Sequence, residues 1–454
     1  WDSFYFLHIT EEGYIFEQEH AFFPLYPLLT RGLGNSFLPI LGHSLTYKQI
    51  LIFSGVLISN VSFVLASINL YSLRLFNDEK FAFITSMFYI ITPSCMFMSA
   101  MYTESLFAFL SFLGMRLFAE KKYWKSAVVW LLASSTRSNG IVYIGFFFYE
   151  LLIREMVEMN FMLLMKRLMK ATLLSIITAS GFFAFQLYGY DEYCILLAPI
   201  RPWCYSELPI LYPFVQKHYW NCGFLRYYEV KQIPNFLLAS PMIALSLFGI
   251  YKYANYDYKR VLSLGLTQTR SLKSDTGTSH IISSKTSLNE ENIRSSQYQS
   301  TSSYFSNVIL PFIYLWTALL LYAITSMHIQ VITRFFSSQP TVYWFASYLF
   351  INSLEKDGDR SINYSSMKDY HHDKIGNETR LKEGYKPDNG AVNMENDRMY
   401  PDEGHDRECS NEDSKIKDEK KDNERFELGH IVISYFILYG VSGIILFAAF
   451  FPPA

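Results

Sequence analysis

Apolar runs alternate with short polar breaks along most of the chain, and their lengths set the first expectation. Runs at about 49–71, 81–98, 105–119, 123–136, 140–153, 171–190, 236–254, 307–329, 341–352 and 429–449 are too uniformly hydrophobic for half-wet surface elements. Since about 20 helical residues cross the hydrocarbon of a bilayer, the pattern predicts an all-α, polytopic transmembrane helical bundle of about 8–10 spans. The short runs at 123–136, 140–153 and 341–352 are expected to tilt or re-enter against their neighbours. Composition fits: half of the 454 residues are hydrophobic, with 39 Phe and 34 Tyr, and mean hydropathy stays positive at +0.11.

The polar breaks divide the chain. Residues 1–254 read as a transmembrane region with polar loops at 1–48 and 191–235, and 307–352 as a transmembrane hairpin. Residues 429–454 hold the last span. Two stretches have little to bury: 255–306, rich in Ser, Thr and Gln, and 353–428, dense in charge; both are expected to be disordered inserts. The absence of an initiator Met and of a signal peptide predicts a truncated start, with a span upstream of Trp1.

Net charge, at -2, says little about a membrane protein, whereas the placement of Lys and Arg does. Arg74, Lys80, Lys121, Lys122, Lys125, Arg154, Lys166, Arg167, Lys170, Lys259, Arg260, Arg270 and Lys273 fall on one side, which is therefore expected to be cytosolic along with both inserts. The loops 1–48 and 191–235, with 101–104, 137–140 and 334–340, then face the lumen. Cys194, Cys204 and Cys222 share one of those loops, and an oxidising lumen favours a disulfide, with Cys194–Cys204 the preferred pair. Sugar on Asn363 or Asn377 would overturn this orientation. His371 and His372 read as solvated side chains in a polar tail. No Walker A loop, dinucleotide fingerprint, HExxH or GxSxG is present. Neither a bound metal nor a cofactor is required, and nucleic acid is not expected as a partner.

The candidate chemistry lies in the lumenal loops. Asp2 sits among aromatic residues at the head of WDSFYFLHITEEGYIFEQEHAFFPLYP, where a carboxylate could serve as general base on a hydroxyl or simply face water; Pro24 and Pro27 are expected to stop any helix there. Glu104 follows Met101-Tyr102-Thr103, and its plainer role is an acid in a first helical turn. Arg137, in Ser134–Gly140, needs an anionic partner because it stands between two apolar runs; Asp2, Glu104 or a lipid phosphate would serve. Asn139 offers hydrogen bonds, and Gly140 permits a sharp reversal. The densest cluster is His218, Trp220, Asn221, Arg226, Tyr228, Glu229, Lys231 and Gln232: rings to stack on sugars, amides and an acid for hydroxyls, cations for phosphate. Arg334 ends a long span as a third basic site.

The phrases MYTESLFA, TRSNG, PWCYSELPILYPFVQKHYWNCGFLRYYEVKQIPNFLLASP and MHIQVITRFFSSQPTVYWF, following the Trp1–Pro27 stretch in that order, resemble the PIG-V family. The likeness runs from Trp1 to about Leu349 and returns weakly at the last span. It implies a membrane glycosyltransferase of the GT-C type in the endoplasmic reticulum, multi-pass, with its active site lumenal. Such an enzyme takes mannose from dolichyl-phosphate mannose and adds the second, α-1,6-linked mannose of the GPI-anchor intermediate, with inversion. An accessory membrane subunit and surrounding lipids are the partners it implies. The resemblance implies Asp2 as base, with Glu104 in reserve. Arg137, Arg226, Lys231 and Arg334 are then expected to hold phosphate, and the remaining polar and aromatic residues of 218–232 to shape the acceptor site. A transferase with another acceptor, a transporter and a non-catalytic scaffold are the alternatives; a transporter would place its ionisable groups at mid-bilayer rather than at span ends.

Overall fold

A computed structural model describes residues 2–73, 75, 78–154, 160–196, 200–266, 303–354 and 409–449, and every regular element among them is helical. Five helices are long and apolar enough to cross a membrane: Tyr47–Ser72, Phe161–Leu196, Val230–Tyr256, Asn307–Ser326 and Leu428–Ala448. The chain is a multi-pass helical membrane protein.

The first polar stretch is more ordered than a loop. It forms α1 (Asp2–Glu12), a 3-10 turn at Glu17–Ala21 and α2 (Leu25–Leu41). The prolines expected to stop a helix start one instead: Pro24 caps α2 and Pro27 lies in its first turn, where no amide hydrogen has a partner to lose. The long span α3 (Tyr47–Ser72) follows, capped by Thr46. The run expected at 81–98 breaks into α4 (Glu79–Ile90) and α5 (Cys95–Ser99), with Pro93 in the break. Next come α6 (Glu104–Ala119) and α7 (Tyr123–Ser134). Residues 138–153 pass through a 3-10 turn, the short α8 (Ile144–Phe148) and a π turn. The span α9 (Phe161–Tyr190) starts ahead of the expected 171 because Asn160 caps it, accepting from Leu163 N at 2.9 Å. Later elements are α10 (Leu211–His218), α11 (Ile233–Tyr256), α12 (Tyr258–Leu262), α13 (Leu310–Ser326), α14 (Ile332–Phe335), a helix through 340–354 and the helix Cys409–Ala448. That last helix begins inside the expected charged insert; residues 267–302 and 355–408, with their histidines and glycosylation sequons, lie outside the described residues.

Lipid is as apolar as Leu, so helices associate in a membrane through close packing and a few polar bonds. Small residues provide that closeness here. A Cβ on Gly181 of α9 would come within 2.6 Å of Ser134 Oγ on α7. That hydroxyl donates to Thr178 O at 2.6 Å across the same interface. Between α2 and α3, Tyr26 donates to Gly55 O at 2.9 Å. Trp130 fills the centre, fully buried and stacked on Tyr143 at 5.0 Å and Phe146 at 5.6 Å.

The chain divides into two units, Trp1–Ser347 with Tyr435–Ala454, and Tyr348–Ser434. In the second, Gly429 packs directly on Ser353. All of the site chemistry below belongs to the first.

Candidate active site

Four charged side chains from four separate segments meet at one end of the first unit. Asp2 opens α1, Glu104 opens α6, Arg137 follows α7 and Arg334 lies on α14. Acids at helix starts sit at the positive end of the dipole, which gives both carboxylates a local reason to be there. Arg334 donates from Nη2 to Asp2 Oδ2 at 2.8 Å and from Nε to Glu104 Oε1 at 2.7 Å. Arg137 reaches the same Glu104 Oε1 at 2.8 Å and Thr103 Oγ1 at 3.3 Å. Behind Arg334 stand the rings of Phe97 and Tyr102, at 4.4 and 5.0 Å from its guanidinium carbon; such faces attract a cation.

The two acids differ in access. The Glu104 side chain is 0% exposed and that of Asp2 25%. Burial alone would raise the Glu104 carboxyl, but Arg334 and Arg137 hold it below its usual range. Its Oε2 has no hydrogen-bond partner. Glu104 therefore orders two arginines, while Asp2 looks onto open space.

That space is a cavity of about 1090 Å³, of the size that takes a substrate. Asp2, Arg137, Asn139, Trp220, Gln330 and Arg334 line one end. The lining continues through Ile141, Val142, Phe146, Phe148, Leu315 and Leu319 to Tyr149, Ile153, Leu264 and Tyr314 at the far end. There the Tyr149 hydroxyl donates to Leu264 O at 3.0 Å and Tyr314 to Val261 O at 2.6 Å. A slot with charges at one end and hydrocarbon along its length suits an amphiphile whose polar head is anionic.

Among the aromatic residues, Trp220 reaches the cavity, with its indole N–H unpartnered. Its ring stands edge-on to Tyr5 and Phe22, which stack on each other at 4.9 Å. His328 accepts no such freedom: its Nε2 lies 2.6 Å from Trp220 O and its ring stacks on Tyr227. Burial pushes its pKa down.

Apart from Cys222, the rest of the dense 218–232 run does not line the cavity. His218 is exposed and stacks on Phe214 at 5.1 Å. Asn221 adopts a left-handed backbone with φ 51. Arg226 is exposed, Lys231 pairs with Glu229 in solvent, Tyr228 donates to Ile324 O, and Gln232 accepts from Asn235. The run is tied instead to the end of α13 by Gly223 N and Leu225 N, which bond Ser326 O and Thr325 O. Residues that line the cavity without being foreseen include Tyr212 and Gln216, one helical turn apart on α10. Their i, i+4 spacing was the available signal. Cys194 and Cys204 are joined in a disulfide, and Cys222, free, lines the cavity. Gly140 serves close approach rather than reversal: a Cβ there would lie 2.5 Å from Ser134 N and 2.7 Å from Ala133 C.

A many-helix membrane protein with paired acids and arginines at one end of a long apolar slot fits the class of membrane glycosyltransferases. The family model for mannosyltransferase (PIG-V) matches residues 1–454. Among relatives, the GPI alpha-1,6-mannosyltransferase 2 of Cricetulus griseus is 32% identical, covering 78% of this chain and 73% of its own. The Homo sapiens protein of the same name is 30% identical over 77% and 72%. GPI mannosyltransferase 2 of Schizosaccharomyces pombe is 31% identical over 76% and 63%. The chain belongs to the PIG-V mannosyltransferase family, and it is an enzyme that transfers mannose.

Proposed function

We propose that this protein transfers the second, α-1,6-linked mannose from dolichyl-phosphate mannose to the mannosyl-glucosaminyl-phosphatidylinositol intermediate of GPI-anchor synthesis. Its place would be the endoplasmic reticulum membrane, with the charged end lumenal. The names of its relatives support the reaction. The observation that carries the site assignment is the meeting of Asp2, Glu104, Arg137 and Arg334 at the mouth of the apolar slot. The basic loops at the other helix ends and the Cys194–Cys204 disulfide support the lumenal side.

In this reading the donor lies with its isoprenoid chain in the slot and its phosphate against Arg137 and Arg334. Asp2 accepts the proton of the acceptor hydroxyl as that oxygen attacks the anomeric carbon from the face opposite the phosphate. The carbon–oxygen bond to dolichyl phosphate breaks, and the two guanidiniums take up the negative charge on the departing phosphate. Inversion results, with no covalent intermediate and no demand for a cofactor. Trp220 would offer its indole N–H to a sugar hydroxyl and its ring, with Phe22, to a sugar face. Glu104 is placed to hold the arginines, because its buried carboxylate does not reach the cavity. The exposed Arg226, Tyr228, Glu229 and Lys231, with His218, Asn221 and Gln232, would act on the lipid-linked part of the acceptor outside the cavity.

Mass spectrometry of GPI intermediates in cells lacking the gene tests the reaction. A precursor with one mannose should accumulate and disappear on re-expression; accumulation of a later intermediate would contradict the proposal.

A further inference from the structure

A second buried ionic group lies on the same side of the bundle and takes no part in the chemistry above. Glu17, in the 3-10 turn Glu17–Ala21, is 6% exposed, yet all its acceptor capacity is used. Arg201 donates to both carboxylate oxygens, from Nε to Oε1 at 3.1 Å and from Nη2 to Oε2. Trp203 Nε1 donates to Oε1 at 2.9 Å and the Tyr219 hydroxyl to Oε2 at 2.7 Å. Arg201 Nη2 also donates to the Tyr219 oxygen at 3.3 Å, which closes the network. A buried carboxylate is costly unless paired and fully bonded, and these bonds hold Glu17 below its usual pKa range although burial opposes them.

The partners come from the distant 191–235 segment, and each has its own anchor. Trp203 sits in an apolar cluster with Tyr193, Leu211 and Val215, against which the disulfide cysteines and Trp220 pack. Tyr219 immediately precedes Trp220. On the Glu17 side, the chain continues directly into Ala21, Phe22 and Phe23, which wall the cavity. One carboxylate thus joins the two halves of the aromatic wall, Phe22 from the first segment and Trp220 from the second.

We infer that Glu17 is a positioning residue for the acceptor sugar, acting through Tyr219 and Trp203 to fix the Phe22–Trp220 wall at the mouth of the cavity. The inference rests on the mannosyl-transfer reading above. Because Glu17 lies away from the charged cluster, its loss should weaken acceptor binding and leave the chemical step and the donor site alone.

The test is steady-state transfer by purified full-length protein with dolichyl-phosphate mannose and a one-mannose GPI acceptor, each varied at saturation of the other. Glu17→Gln keeps the shape but cannot accept from every donor, so its acceptor KM should rise about tenfold with kcat and donor KM within about twofold. Glu17→Asp should recover part of that rise. Tyr219→Phe removes one hydroxyl from a residue 38% exposed, so the fold survives its loss. It should raise acceptor KM in the same direction by less, and it decides the matter if Glu17→Gln fails to accumulate. A fall in kcat with acceptor KM unmoved, or wild-type constants in both Glu17→Gln and Tyr219→Phe, would overturn the inference while leaving the function standing. Wild-type protein inert on this donor and acceptor would instead overturn the function, and the inference with it.

Discussion

Asp2 and Glu104 are the same functional group at the same kind of position, the first residue of a helix, and what separates them is company. Glu104 is shut in with two guanidiniums; Asp2 shares one of them and faces the cavity. Removing Arg334 leaves the buried Glu104 carboxylate paired with Arg137 alone, so Arg334→Ala should lower stability, by less than the roughly 3–5 kcal/mol for breaking a buried pair outright. Thermal unfolding in detergent measures it. His20 offers a separate reading of burial. It sits among Tyr14, Phe185, Tyr188 and Tyr193, and burial pushes its pKa down from 6.5 to about 4. Between those values the unfolded chain binds a proton that the folded chain refuses, so stability should fall as pH drops from about 6.5 towards 4. A His20→Phe variant should lose that slope in a melting series across this range. From sequence, Arg137 and Arg334 were already legible as arginines that need anions, because each stands at the end of an apolar run. For Arg137 the sequence already offered Glu104 among its candidate partners, but that Arg334 joins the same group was not legible: it reaches back 230 residues to Glu104 and 332 to Asp2, and no local pattern encodes such pairs.

At the scale of elements, helix contacts carry the site residues into place. Arg137 leaves α7 three residues after Ser134, and Ser134 is locked to α9 across Gly181. Enlarging that glycine overpacks a backbone-to-backbone contact, which typically costs about 1–3 kcal/mol. Gly181→Val should therefore lower the melting temperature and, by shifting the end of α7, reduce transfer; unchanged stability and activity would show that the contact is slack. The long spans were plain in the sequence because lipid-facing and core-facing sides are both apolar. The helix at 25–41 was not, since Pro24 and Pro27 read as breakers until their place in the first turn is known. The 218–232 run misled in the opposite way. Its density of polar and aromatic residues pointed to one site, but the chain turns through left-handed Asn221 and Leu225, leaving Trp220 on the cavity and most of the charges in solvent.

For the molecule as a whole, the slot links chemistry at one end of the bundle to hydrocarbon along its length. Binding energy from the remote chain of a donor can be used at the reacting centre. Donors with the isoprenoid cut to one or two units should therefore show kcat/KM reduced by about tenfold for roughly every two methylenes lost from the slot, at about 0.8 kcal/mol each. Transfer assays across a series of chain lengths measure this, and equal efficiency for short and long donors would mean that the slot holds something else. The central claim is that Asp2 removes the acceptor proton while Glu104 only arranges the arginines. Its most direct test is single-turnover mannose transfer by purified wild-type, Asp2→Asn and Glu104→Gln proteins at saturating donor and acceptor. Asp2→Asn should lose roughly 10²–10⁴-fold in rate with binding intact, as for removal of a general base. In Glu104→Gln the loss should appear first in donor affinity. Near-normal turnover by Asp2→Asn, or a Glu104→Gln enzyme that binds donor normally and is inert, would contradict the account.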